Sequence, residues 1–124
     1  MRILGIGVDI VENKRIKSLI KKKSFIKRSF GKNEVNFSNK ILNKTNYFAK
    51  RFAAKEAFAK TLGTGFRNNL NIKDIEIIND KMGKPYYFIS KKINNIIKKK
   101  FKIKKFNLFL SISDEKDYSI AFTI

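Results

Sequence analysis

The sequence contains no cysteine, no histidine and no tryptophan. Lack of cysteine excludes disulfides, thiolate metal sites and a cysteine nucleophile. Lack of histidine removes the usual general base near neutral pH and the commonest zinc ligand. Any chemistry must come from carboxylates, lysines, hydroxyls or a hard metal held by oxygen. Acid is scarce too: 10 Asp and Glu stand against 29 Lys and Arg, a net charge of +19. No apolar run approaches the roughly 18 residues of a membrane span. The apolar stretch in MRILGIGVDIVENK is shorter than a secretory h-region and runs into acids without a small-residue cleavage site. A soluble, cytoplasmic protein without a membrane partner is expected.

What is present argues for folding. Hydrophobic residues make up 43% of the 124 positions and aromatics 13%, with twelve Phe, too much apolar material for a disordered tail. The length suits one domain, residues 1–124, with a modest core. The charge points to a polyanionic partner: nucleic acid, an anionic membrane, an acidic protein or a phosphorylated ligand. The plainer account is a Lys-rich solvated surface, and charge alone does not choose.

Ile3 to Val11 is apolar and β-branched, with Asp9 inside it, and reads as a buried strand. Helical spacing follows from Glu12 to Lys22, then again from Ser24, read as a capping residue, through Phe30. Gly31 to Thr45 is polar and reads as a short helix and loop. Asn46 to Leu62 is the best helix, free of Gly and Pro and stopped at Gly63. Ile72 to Ile78 alternates and reads as a strand, paired through a turn at Gly83 and Pro85 with Tyr86 to Ile89. An amphipathic helix from Ser90 to Phe101 precedes strands over Asn107 to Ser113 and Tyr118 to Ile124. The order β-α-α-α-β-β-α-β-β is α+β with a mainly antiparallel sheet.

With ten acids, each can be weighed. Glu12, Glu34 and Glu115 read as solvated surface acids, and Asp74, Glu76, Asp80 and Asp117 as strand-face or turn residues. Asp9 differs, because burying a carboxylate is expensive unless a metal or a cation offsets the cost. Glu56 lies mid-helix on a strip with Ala49, Ala53 and Lys60; an ion pair with Lys60 is its plain reading. Gly63-Thr64-Gly65 permits close backbone approach to a ligand. An oxygen-ligand metal, a phosphorylated ligand and an acidic partner all remain compatible at this point.

Three segments together resemble the bacterial holo-acyl-carrier-protein synthase family, the small type of 4′-phosphopantetheinyl transferase: GIGVDIVENKRI (Gly5 to Ile16), FAAKEAFAKTLGTG (Phe52 to Gly65) and LSISDEKDYSIAF (Leu110 to Phe122). The turn GKPY (Gly83 to Tyr86) is also similar. The resemblance implies that Asp9 and Glu56 bind Mg2+, and that Lys60 lies near the pyrophosphate of coenzyme A. It places Arg51 and Lys55 toward the nucleotide end, Gly63, Thr64 and Gly65 against the coenzyme, and Gly83, Lys84 and Pro85 near its adenosine part. Arg15 would contact acidic residues of the acyl carrier protein. The implied reaction moves phosphopantetheine from coenzyme A to a carrier serine for fatty acid biosynthesis, in a homotrimer with active sites at subunit interfaces.

One position departs from the family pattern. Where many members read SISH or SLSH, this chain has Ser111-Ile112-Ser113-Asp114. Asp114 would turn away, help hold the metal or serve as the base toward the carrier serine, a metal-bound water being the other candidate base. Two other classes stay open: a non-enzymatic RNA- or DNA-binding module, and a coenzyme A-binding relative without transfer activity. Against nucleic acid, the lysines spread through every helix and no RNP, KH or zinc motif appears.

Overall fold

The computed structural model describes residues 2–67 and 69–124. The elements are β1 (Gly7–Glu12), α1 (Asn13–Leu19), α2 (Lys23–Ser29), α3 (Lys32–Ser38), α4 (Lys44–Leu62), a 3₁₀ turn (Ile72–Asp74), β2 (Glu76–Asn79), β3 (Pro85–Phe88), α5 (Lys91–Phe101), β4 (Leu110–Asp114) and β5 (Tyr118–Thr123). The fold is α+β, as expected, with antiparallel sheets only: a three-stranded sheet in the order β1-β5-β4 and a two-stranded β2-β3 hairpin. Among the described residues four helices precede the hairpin, one more than the order β-α-α-α-β-β-α-β-β counts; the short helix read after Gly31 is α3.

The long helix α4 is the centre. The Asn43 side chain caps it by accepting from the Asn46 N–H at 3.0 Å, and Gly63 ends it in the left-handed conformation, φ +78°. Ala49, Ala53, Ala54 and Ala57 are completely buried, and from Tyr47 to Leu62 every residue of the helix is buried except Lys50, Glu56 and Lys60. One flank meets a Phe cluster: Phe25, Phe30, Phe48 and Phe52 have ring centroids 4.6–6.0 Å apart. The other meets β1 and the segment leading into it so closely that two positions there can carry no side chain. A Cβ on Gly5 would lie 2.2 Å from the Thr61 carbonyl oxygen, and one on Gly7 would lie 2.1 Å from that of Ala57.

Several expectations are corrected. The first strand begins at Gly7, not Ile3, since the last residue of β5 to pair is Thr123, opposite Gly7. It is buried on one face only: Gly7, Asp9 and Val11 face α4, whereas Val8 and Ile10 are more than half exposed. Ser24 does not cap α2, which starts one residue earlier without a side-chain cap. Ile72–Asp74 is a 3₁₀ turn, not strand, because the Asp74 carboxylate accepts from the Asn71 N–H at 2.9 Å and closes the chain on itself. Glu34, read as a surface acid, is 1% exposed.

Candidate active site

β1 and α4 bring Asp9, Glu56 and Lys60 together. The Lys60 ammonium donates to Asp9 Oδ1 and to the Val8 carbonyl, both at 3.0 Å. The i,i+4 pair of Glu56 with Lys60 is thus displaced by a pair across the helix–strand contact. The Asp9 side chain is 16% exposed and that of Lys60 57%. Glu56 is half-buried, and its pKa is raised first by burial and then by the neighbouring Asp9 charge; Lys60 and Arg15 pull it back. Two carboxylates close enough for one charge to raise the other's pKa, with one half-exposed lysine beside them, make an oxygen-rich, electron-rich cluster.

Arg51 belongs to a second cluster. Its guanidinium stacks over the Tyr47 ring, 3.7 Å from the centroid, and donates to Asn79 Oδ1. Its Nε is buried without a hydrogen-bond partner, and no carboxylate bridges it among the described residues. Asn79 in turn donates to the Gly83 carbonyl at 2.8 Å, so Arg51 is tied to the tip of the hairpin. There Gly83 has φ +84°, and Asp80 Oδ1 accepts from the N–H groups of Met82 and Lys84 at 2.9 Å. Gly83 and Lys84 are exposed and Pro85 is half-buried.

The Gly63-Thr64-Gly65 turn has open space at both glycines, with φ +78° and +65°. It adjoins a groove of about 470 Å³ lined by Leu62, Thr64, Arg67, Asn95, Lys99 and Lys100, among others. The cations from α5 there carried no motif in the sequence; the fold alone aligns them with the turn.

Two expected residues stand elsewhere. Lys55 does not face a ligand: its side chain is 0% exposed and bridges Glu34 at 2.6 Å. Burial pushes the Lys55 pKa down and that of Glu34 up, while each charge holds the other back. Asp114 ends β4, accepts from the Asn46 amide and does not join Asp9. The register Asp9–Ala121–Ile112 sets Asp114 two strands over and two residues along, about 12 Å from Asp9 between backbones.

A family model described as the 4′-phosphopantetheinyl transferase superfamily matches residues 5–123. The chain belongs to the 4′-phosphopantetheinyl transferase superfamily. Among its holo-[acyl-carrier-protein] synthases, that of Pelagibacter ubique is 60% identical over 124 residues, covering 100% of this chain and 97% of the relative. The crystal structure of the Neisseria meningitidis synthase superposes with a TM-score of 0.87 at 40% identity, covering 98% of this chain and 97% of that one. A Helicobacter pylori synthase solved in complex with coenzyme A gives 0.79 at 30% identity, covering 96% and 97%. The transferase-family reading of the three sequence segments therefore holds, and the nucleic-acid reading is not favoured.

Seen as a phosphopantetheinyl transferase, the chain hides three residues that its sequence does not announce. Glu34 and Asn79 hold Lys55 and Arg51, and Asn46 holds Asp114. Each pairing joins residues at least 21 positions apart, beyond the reach of periodicity. Among the described residues no helix is long and apolar enough to cross a membrane.

Proposed function

We propose that this chain transfers the 4′-phosphopantetheine arm of coenzyme A to a serine of apo acyl carrier protein, for fatty acid synthesis. The serine hydroxyl attacks the β-phosphate, the phosphoanhydride P–O bond breaks, and adenosine 3′,5′-bisphosphate leaves. The observation that carries the reading is the meeting of Asp9 and Glu56 from separate elements, with Lys60 beside them.

That donor set fits Mg2+. The ion prefers oxygen ligands and is commonly held by one or two carboxylates, waters and substrate phosphates. Asp9 already raises the Glu56 pKa, so the pair gains from a divalent cation between them. Held by Asp9 and Glu56, magnesium supplies charge neutralisation at the pyrophosphate. Among the described residues no third His, Cys, Asp or Glu joins the pair, which leaves room for substrate oxygens.

Lys60, more than half exposed, is free to turn from Asp9 to a phosphate. Gly63, Thr64 and Gly65 let the coenzyme approach backbone, with Arg67, Lys99 and Lys100 nearby. Arg51, Gly83, Lys84 and Pro85 take the nucleotide end; a buried cation without an anion suits a phosphate there. Arg15, on the exposed side of α1 beside Glu56, meets the acidic carrier protein.

Asp114 is proposed as the base toward the carrier serine, and assembly is what makes this workable. The outer face of the sheet exposes Val8, Ile10, Tyr118, Ile120 and Phe122 at 36–58%, an apolar patch of the kind that marks an interface. A homotrimer packed on this face places one protomer's β4 end near another's site.

The test is mass spectrometry of apo carrier protein incubated with the chain, coenzyme A and magnesium. The expected result is a gain equal to one phosphopantetheine group; no gain overturns the proposal. Glu56→Gln is expected to lower transfer by about 100-fold or more while the fold persists. Full activity of that variant at low magnesium removes Glu56 from the site.

A further inference from the structure

Glu34 and Lys55 form the most deeply buried ion pair of the molecule, with both side chains 0% exposed. Such a pair is a poor source of stability, since desolvation offsets most of the attraction. Its remaining hydrogen bonds show what else it does. Lys55 Nζ donates to the carbonyl of Ile75, and at 3.4 Å to that of Ile72. Glu34 Oε2 accepts from the N–H of Ile77 at 3.2 Å, while its Oε1 accepts from the Gly31 N–H at 3.0 Å.

In a strand, residues two apart point their N–H and C=O groups to the same edge. The carbonyl of Ile75 and the amide of Ile77 therefore belong to the free edge of β2, opposite β3. The ion pair stands where a further strand would be, the ammonium as donor and the carboxylate as acceptor. A two-stranded hairpin is marginal in water without such support. Burial of Ile75, Ile77 and Tyr87 holds its inner face, and the Tyr87 hydroxyl donates to the Ala54 carbonyl at 2.7 Å. Together with the Tyr87–Ala54 and Arg51–Asn79 bonds, the directional bonds along this edge fix where the hairpin sits along α4.

We propose that Glu34, through Lys55, is a positioning residue that sets the placement of the β2–β3 hairpin against α4 for coenzyme binding. This rests on the transfer reading above. α4 carries Glu56 and Lys60, while the hairpin carries Gly83, Lys84 and Pro85, so one coenzyme must span two elements whose spacing the buried pair sets. Lys55 immediately precedes Glu56, so the same side chain that grips β2 also fixes the rotation of α4 at the carboxylate.

The experiment uses the full chain, with coenzyme A as the varied substrate and the carrier protein saturating. Replacing both partners by Met (Glu34→Met with Lys55→Met) removes the edge bonds without leaving a lone buried charge. The expected result is a chain that still unfolds cooperatively at a modestly lowered melting temperature, a KM for coenzyme A raised about tenfold or more, and a kcat within about threefold. Glu34→Gln, which keeps shape and one acceptor oxygen, is expected to lie between. A parental KM in either folded variant, or a kcat loss at unchanged KM, overturns the proposal.

Hydrogen exchange on the unaltered protein gives a reading independent of variant folding. The Ile77 amide is expected to exchange as slowly as the paired amides of β3, and coenzyme A to slow exchange across Glu76–Phe88. Fast exchange at Ile77, or a hairpin indifferent to coenzyme A, overturns it as well. Failure of the unaltered chain to modify carrier protein would instead strike the transfer reading itself.

Discussion

Gly7 sits where β1 touches the back of α4, and the contact is closed to any side chain. A methyl group there would lie 2.1 Å from the Ala57 carbonyl oxygen and 2.6 Å from Thr61 Oγ1. Both belong to a helix buried on nearly every side, so neither can retreat. Gly7→Ala is expected to destabilise the fold by about 1–3 kcal/mol, the usual range for overpacking. A urea denaturation midpoint unchanged from the parent would show that β1 can lift away. The strand that Gly7 seats carries Asp9, so the same substitution is expected to weaken magnesium dependence of transfer. Asp9 was legible in the sequence because an acid inside an apolar strand needs an explanation. Glu34 was not legible, because its partner Lys55 lies 21 residues away on another helix. Local pattern reads an acid flanked by Asn and Val as surface; only the closure of α3 on α4 and β2 buries it.

At the scale of elements, α3 and the hairpin are secured by polar contacts that differ sharply in environment. Glu34→Ala leaves the Lys55 charge buried at 0% exposure without its partner. A loss of about 3–5 kcal/mol is expected, visible as a lowered denaturation midpoint. The double Met replacement should recover most of it; a single and a double variant of equal stability would refute the account. The 3₁₀ turn offers a milder case. Burial alone would raise the Asp74 pKa, but hydrogen bonds from Lys92 and the Asn71 N–H hold it below the usual value of 3.8. A depressed folded pKa means stability that is full above the unfolded value and lost as pH falls through the folded one. Asp74→Asn should therefore cost less than about 1 kcal/mol at pH 6, because Lys92 is more than a third exposed. The difference should vanish once the pH falls through the folded Asp74 pKa, below the usual value of 3.8; a gap that persists in acid would mean the carboxylate acts otherwise. These elements were legible in type wherever periodicity was long. α4 and α5 were read within two residues of their ends, whereas 72–74 was missed because one side chain closing a turn outweighs three residues of alternation.

The whole molecule presents a contrast between an α4 wrapped on nearly every side and a sheet covered on one. Tyr118, Ile120 and Phe122 alternate outward along β5, the central strand, and line up with Val8 and Ile10 of β1. On the chain alone, this face leaves apolar surface in water that a second copy would remove at roughly 25 cal/mol per Å². The sequence showed these residues as strand-forming but could not show which face lacks cover, since that depends on α4 taking the other. The fold also keeps Asp114 some two strands from Asp9 within a protomer, so a site that uses both needs a neighbour. Ile120→Glu tests the two together. The side chain is already 39% exposed in the single chain, so its replacement should leave the circular dichroism spectrum and the helix core unchanged. In an assembly closed on this face, it would bury one unpaired carboxylate per protomer, each costing several kcal/mol. Sedimentation velocity at micromolar concentration is expected to show trimers for the parent and monomers for the variant, with transfer reduced by about 100-fold. A trimer that survives the substitution would move the interface to another face. A monomer with full activity would mean that Asp9, Glu56 and Lys60 of one chain suffice, and Asp114 would then lose its role as base.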